Sequence, residues 1–170
     1  MEKKYRVNGF EEVLPRLLSL GAKPLKQSES THYYAPREDN DVVKLVSKST
    51  GFEIHELTES AGKFELTRSL QMKDLDSGLQ WLLGQGYTEV GILHMEDTEY
   101  AYDTGVVGIY VINHTLRSVI LDFPEGKHER PAQQLGLNDT ELIEMPYNKY
   151  LEIHGDLRLV KIDELKSTSE

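Results

Sequence analysis

The first seven residues, MEKKYRV (1–7), read as one β-strand in which charged and apolar side chains alternate. Glu2, Lys4 and Arg6 would point to one face of this strand, and Tyr5 and Val7 to the other. An acid and two bases on one face are typical of a solvated outer surface. The same pattern also suits a polar interior, in which acids and bases face one another across a curved sheet.

Four further stretches that read as strands repeat this alternation, at 42–48, 51–57, 63–72 and 117–123. Alternate positions of a strand point to the same face, and we call the residues of one face a parity. The apolar parity consists of Val43, Leu45, Phe52, Ile54, Phe64, Leu66, Leu121 and Phe123. The polar parity consists of Lys44, Lys48, Glu53, His55, Lys63, Glu65 and Asp122. If the sheet curls and helices cover its apolar side, the polar parity lines an interior. For any single residue, a solvated face remains the simpler alternative.

The whole chain reads as an antiparallel sheet with a few helices. Predicted strands lie at 2–7, 30–35, 42–48, 51–57, 63–72, 90–102, 106–113, 117–123 and 156–162, and predicted helices at 10–21, 73–86, 129–136 and 146–151. A weak echo between the halves, LSLG…THYY…VVKLV and LGQG…EYAY…VVGIYVI, favours a sheet that closes on itself. We therefore predict an α+β fold, an antiparallel β-barrel that is closed or nearly closed into a tunnel, with helices packed outside. It forms a single domain over 1–165, followed by a flexible tail at 166–170.

The amino-acid composition of the chain argues against several classes of function. The chain has 170 residues, of which 38% are hydrophobic and 28% charged, and its 29 acids and 19 bases give a formal net charge of −10. This balance argues against a general nucleic-acid binder, which needs a basic surface. There is no cysteine, so disulfides and thiolate sites are excluded. We predict a cytoplasmic protein, because no stretch resembles a membrane span or a secretory signal. The oligomeric state is left open, with a homodimer among the alternatives.

The stretch MEKKYRV resembles the opening strand of the CYTH superfamily, the triphosphate tunnel metalloenzymes, which includes class IV adenylate cyclases and thiamine triphosphatases. That strand reads Glu-x-Glu-x-Lys followed by an aromatic residue. Glu2, Lys4 and Tyr5 match the second glutamate, the lysine and the aromatic residue. The first glutamate of the pattern would precede Met1.

Further matches run along nearly the whole chain, with substitutions at several charged positions. VVKLV is similar to Leu-Arg-Ile-Arg, with a base kept at Lys44 and lost at Val46, and FEIH places His55 where a lysine is expected. KFELT is similar to Arg-x-Glu-x-Glu, which matches Lys63 and Glu65. SVILDF resembles the closing Glu-x-Glu strand, with Ile120 and Asp122. The stretch GYTEVGILHMEDTEY resembles a segment that contains Lys-x-Arg, with His94 and Glu96 at those two positions, and Glu96 would repel a phosphate in the predicted tunnel.

This resemblance implies a small triphosphate ligand bound inside the tunnel together with Mg²⁺ or Mn²⁺. The implied phosphate-binding residues are Lys4, Arg6, Lys44, His55 and Lys63, with Lys4 also in a catalytic role, and the implied metal ligands are Glu2, Glu65 and Asp122. Hydrolysis of the triphosphate is the reaction we favour. Two alternatives stay open: cyclisation, as in a class IV adenylate cyclase, and a non-catalytic protein that binds a nucleotide, a phosphometabolite or a protein partner. The sequence thus leaves open whether the chain is an enzyme.

Overall fold

The computed structural model of the chain describes residues 1–61 and 63–166, which form two compact units. The first unit comprises residues 1–29 and 95–144, and the second comprises 30–94 together with the described residues from 145 onwards. Each unit consists mainly of antiparallel strands with a few helices, which confirms the predicted α+β class. Of the predicted tail, residues 167–170 lie outside the described residues.

The strands in chain order are β1 (Glu2–Val7), β2 (Lys23–Tyr34), β3 (Val42–Lys48), β4 (Gly51–Ser60), β5 (Lys63–Met72), β6 (Glu89–Tyr102), β7 (Gly105–Ile112), β8 (Leu116–Asp122), β9 (Leu142–Ile143) and β10 (Leu159–Lys161). The helices are α1 (Val13–Ser19), α2 (Leu75–Gly84), α3 (Glu129–Gln134), α4 (Tyr147–Ile153) and α5 (Ile162–Leu165). β2 and β6 each run from one unit into the other. No helix among the described residues has the length and apolar character needed to cross a membrane.

In the first unit the strand order is β2-β6-β7-β8-β1-β9. One face of this sheet carries the hydrophobic core, because residues of one parity on β1, β7 and β8 are apolar. Tyr5, Ile109 and Val119 are cross-strand partners on this face. They share one buried cluster with Val13 and Leu17 of α1. The opposite face carries the polar residues, together with the buried apolar side chains of Ile112, Leu116 and Ile120.

In the second unit the strand order is β5-β4-β3-β2-β6, and β10 pairs with β6. Helix α2 begins where the Asp74 carboxylate accepts a hydrogen bond of 2.7 Å from the backbone N–H of Ser77, a typical N-cap. Its buried side packs on Leu45 and Ile54, which are fully buried. The approach is close at Gly78, where a Cβ would come within 2.4 Å of Leu45.

Strand pairing does not close either sheet into a barrel. The first unit's sheet ends at β9 and the second unit's sheet ends at β5, and within residues 1–61 and 63–166 no further strand pairs with either edge. β9 is only two residues long. The predicted closed barrel is therefore not formed by hydrogen bonds between strands, although the antiparallel sheets with packed helices are as expected.

Candidate functional site

The register of β1 and its neighbours places the charged residues of MEKKYRV on the face opposite the core of the first unit. Along this face, which we call the first polar face, Glu2 lies directly opposite Asp122 on β8, and Arg6 opposite Ser118. Lys4 lies opposite Ile120. The face continues on β6 and β7 through Asp97, Glu99, Gly108 and Tyr110. The structure thus brings together four of the residues predicted from the sequence, Glu2, Lys4, Arg6 and Asp122.

Carboxylates dominate the first polar face. Four of them, at Glu2, Asp97, Glu99 and Asp122, surround Tyr110, and burial together with their negative charge raises the pKa of its phenol. Asp97 is buried and accepts a hydrogen bond of 2.9 Å from the Ser28 hydroxyl. This concentration of negative charge favours a bound cation.

The two bases of the first polar face differ in environment. Lys4 is half-buried, and loss of hydration lowers the pKa of its ammonium to about 8, with Glu2 acting in the opposite direction. Arg6 is exposed, and its guanidinium lies 3.6 Å from the Glu141 carboxylate. Lys4 is therefore the base best placed to bind a ligand on this face.

Glu2 and Asp122 fit the donor set of a divalent metal. They are cross-strand partners on adjacent strands, so their carboxylates share one side of the sheet. Oxygen donors of this kind suit Mg²⁺ and Mn²⁺. Asp122 also lies 3.2 Å from the amino group of Met1, a contact that a bound metal would replace.

The second unit carries a polar face of the opposite charge character. This second polar face is formed by Ser30, His32, Tyr34, Lys44, Lys48, Glu53, His55, Ser69 and Gln71, which alternate with the core residues of β2 to β5. Lys44 donates a hydrogen bond of 3.3 Å to the Tyr34 hydroxyl and lies 5.0 Å from the centre of its ring. Basic and imidazole groups outnumber the acids here, so this face favours an anion.

Glu53 is the acid of the second polar face and has three partners. Its carboxylate lies 2.7 Å from His55 Nε2, 2.8 Å from Gln71 Nε2 and 3.4 Å from Lys48 Nζ. The hydrogen bond from His55, then that from Gln71, and the charge of Lys48 lower the pKa of Glu53 to about 2. Glu53 therefore partly neutralises two of the groups that could bind an anion.

Lys63 and Glu65 do not join the second polar face. The pairing of β4 with β5 slips at Thr67, so that Arg68 pairs with Glu56 while Leu66 pairs with Leu57. One extra residue in a strand shifts the alternation, so that residues before the bulge and residues after it no longer share one pattern of faces. Lys63 and Glu65 consequently share the parity of Ile54, opposite Lys44 and His55.

Glu96 does not lie on the first polar face either. Glu96 pairs with Val111, and the same cross-strand row continues to Val7 on β1. Val7 and Lys4 point to opposite sides of the sheet, so Glu96 lies on the side away from Lys4. The phosphate repulsion expected from Glu96 is therefore absent from this face. Glu96 instead lies 3.7 Å from His114.

Among the residues of the polar faces that sequence reasoning missed are His32, Asp97, Glu99 and Tyr110. The last three could have been found from β6 and β7, because Tyr100 and Tyr102 pack against the core and so assign Asp97 and Glu99 to the opposite parity. His32 lies within THYY (31–34), on the predicted strand 30–35.

No protein-family model matches the sequence, and no curated protein matches it significantly. Solved structures do match. Protein PH1012 of Pyrococcus horikoshii is similar with a TM-score of 0.72 at 16% identity, over 86% of this chain and 96% of that one. A candidate adenylate cyclase of Vibrio parahaemolyticus gives 0.63 at 15% identity over 89% and 97% of the two chains, and one of Bacillus halodurans gives 0.59 at 13% over 81% and 89%. At these identities the likeness concerns the fold alone.

Proposed function

We propose that this chain binds the triphosphate group of a small organic or inorganic molecule together with Mg²⁺ or Mn²⁺, and hydrolyses it. The observation that carries the proposal is the register that places Lys4, Glu2 and Asp122 on one polar face. A base suited to phosphate thus lies beside two acids suited to a metal. The fold shared with two candidate adenylate cyclases is consistent with phosphate chemistry.

Lys4 would donate hydrogen bonds to phosphate oxygens. With a pKa of about 8, its ammonium is roughly nine-tenths protonated at pH 7, so it carries the charge that this role needs. Glu2 and Asp122 would hold the metal. When bound, the metal polarises a phosphoryl oxygen and offsets charge on the leaving group.

The second polar face supports the same ligand class. Lys44 and His55, both expected from the sequence to bind phosphate, share this face with Lys48. The residues that we propose to bind phosphate are therefore Lys4 and Arg6 on the first polar face and, separately, Lys44 and His55 on the second polar face. Lys63 and Glu65, which the β5 bulge turns to the other side of their sheet, are not among them.

Calorimetric titration with tripolyphosphate, with and without Mn²⁺, tests the proposal, followed by an assay for released phosphate. Lys4→Ala should weaken binding about tenfold to a hundredfold, as expected for a lost hydrogen bond between charged groups. Lys3→Ala is the matched control, because Lys3 pairs with Leu121 on the core-bearing face. Loss of metal-dependent binding in Glu2→Gln and Asp122→Asn, but not in Glu96→Gln, would support the metal ligands. Absence of binding at millimolar ligand would refute the proposal.

The identity of the product separates the alternatives. Incubation with ATP and Mn²⁺ yields inorganic phosphate if water attacks, whereas a cyclic nucleotide with pyrophosphate identifies a cyclase. Tight metal-dependent binding without either product would identify a protein that binds its ligand without turnover.

A further inference from the structure

His32 is a half-buried imidazole in the middle of the second polar face. Its direct cross-strand partner is Val46, which offers no side-chain hydrogen-bonding group. Its Nε2 lies 2.8 Å from the Ser30 hydroxyl. Its Nδ1 has almost no exposed surface in the unliganded chain and has no hydrogen-bond partner among the described residues. Such an orphaned nitrogen is uncommon in folded proteins and calls for an explanation.

The surroundings of His32 are positive. Burial lowers the pKa of His32 to about 2, together with the charges of Lys44, His55 and Lys48 on the two strands that follow β2. Glu53 is the acid on the same cross-strand row. The imidazole is therefore neutral at physiological pH and carries one N–H. In the tautomer in which the Ser30 hydroxyl donates to Nε2, this proton lies on Nδ1.

A buried N–H without an acceptor is costly, and an oxyanion that enters a positive environment would supply the acceptor. We propose that His32 is a further ligand-binding residue, whose Nδ1–H donates a hydrogen bond to a phosphate oxygen of the anion bound by Lys44. This inference rests on the proposed function, since it names an additional contact for the same ligand class. Ser30 is then a positioning residue that fixes the tautomer of His32.

Two amide substitutions separate this role from simple packing. Asparagine places its N–H₂ group near the position of Nδ1, whereas glutamine places it near that of Nε2. We therefore expect His32→Asn to retain most of the affinity for tripolyphosphate and His32→Gln to lose about tenfold to a hundredfold. The matched control is His154→Gln, because His154 is an exposed histidine of the same unit that contacts the Tyr150 carbonyl through Nδ1.

Salt dependence gives a readout that a packing role would not move. Lys44→Ala removes a charge and should flatten the dependence of the dissociation constant on ionic strength. His32→Gln removes a neutral donor and should weaken binding equally at low and high salt. Nitrogen NMR of the free protein should show the proton on Nδ1 of His32, and Ser30→Ala should move part of the population to the other tautomer.

The outcomes separate the two proposals. If the wild-type chain binds tripolyphosphate and Lys44→Ala weakens binding, while His32→Asn and His32→Gln both bind like wild type, His32 is not a ligand-binding residue and the proposed function stands. A proton found on Nε2 in the free protein would also overturn the inference. If the wild-type chain shows no binding, both proposals fail. Melting temperatures of all variants within a few degrees of wild type ensure that affinity is compared between folded proteins.

Discussion

Replacing Glu53 by glutamine tests the electrostatics of the second polar face directly. The carboxylate is held by His55, Gln71 and Lys48, and these contacts lower its pKa from 4.5 to about 2. A carboxyl group whose pKa is lowered by folding stabilises the folded state above its unfolded pKa and loses that contribution as the pH falls through its folded pKa. Glu53→Gln keeps an acceptor oxygen but removes the charge, so it should remove this pH-dependent part of the stability.

The size of the effect follows from the two pKa values. The difference between 4.5 and about 2 corresponds to roughly 3 kcal/mol at pH 7, at about 1.36 kcal/mol per pKa unit. The Glu53 side chain is 19% exposed, so solvent screens part of this interaction. We expect Glu53→Gln to lower the free energy of unfolding by about 1 to 2 kcal/mol at pH 7. The deficit should shrink between pH 4.5 and 2 and be about halved near pH 3.

Urea unfolding followed by circular dichroism between pH 7 and pH 3 measures this difference. Glu56→Gln is the matched control, because Glu56 lies on the same strand with the opposite parity and its carboxylate is 3.9 Å from Arg68. That partly exposed pair, with a long separation of 3.9 Å, should contribute less than about 1 kcal/mol. If the deficit of Glu53→Gln does not change with pH, or if Glu56→Gln behaves in the same way, the assignment of Glu53 as the charge-bearing centre of this network is wrong.

Three further predictions follow from the second unit. Glu53→Gln releases Lys48 and His55, so calorimetry at low salt should show tripolyphosphate binding several-fold tighter than in wild type, and an unchanged or weaker affinity would contradict the anion-binding character of this face. Gly78→Ala forces a Cβ to within 2.4 Å of Leu45 and should destabilise the protein by about 1 to 3 kcal/mol in urea unfolding, whereas Gly84→Ala, with no atom within 4 Å of its Cβ, should not. Asp74→Ala removes the N-cap of α2 and should cost about 1 kcal/mol by thermal unfolding, with Asp76→Ala, which leaves the cap in place, as the comparison.

The strands with clear alternation could be predicted from the sequence. β1, β3 and β5 begin and end where the sequence pattern places them. β2 begins seven residues before the predicted 30–35, at Lys23. Its first half, KPLKQ, is exposed throughout and contains a proline, so no apolar periodicity marks it. Pairing with a neighbouring strand defines that half, and pairing is invisible in a single sequence.

In the candidate site, too, some residue positions follow from the sequence of one strand, whereas others depend on how that strand pairs with its neighbours. The parity of Glu2, Lys4 and Arg6 is a property of one short strand, and the structure places all three on one polar face. The predicted face of Glu65 assumed an uninterrupted β5. The extra residue at Thr67 places Glu65 on the opposite face instead. The Thr67 hydroxyl also donates a hydrogen bond to the Glu56 carbonyl. A single-residue bulge leaves almost no trace in composition or alternation.

The charge of the whole chain says little about the ligand that a particular face can accept. A formal net charge of −10 argues against a polyanionic partner, yet the second polar face gathers Lys44, Lys48 and two imidazoles around one acid. At physiological ionic strength exposed charges are screened beyond about 8 Å, so distant surface acids contribute little to the potential at these side chains. The groups on the face itself therefore decide what binds there. For this reason the removal of one charge at Glu53 or Lys44 should alter anion binding more than a change of several acids on the outer surface.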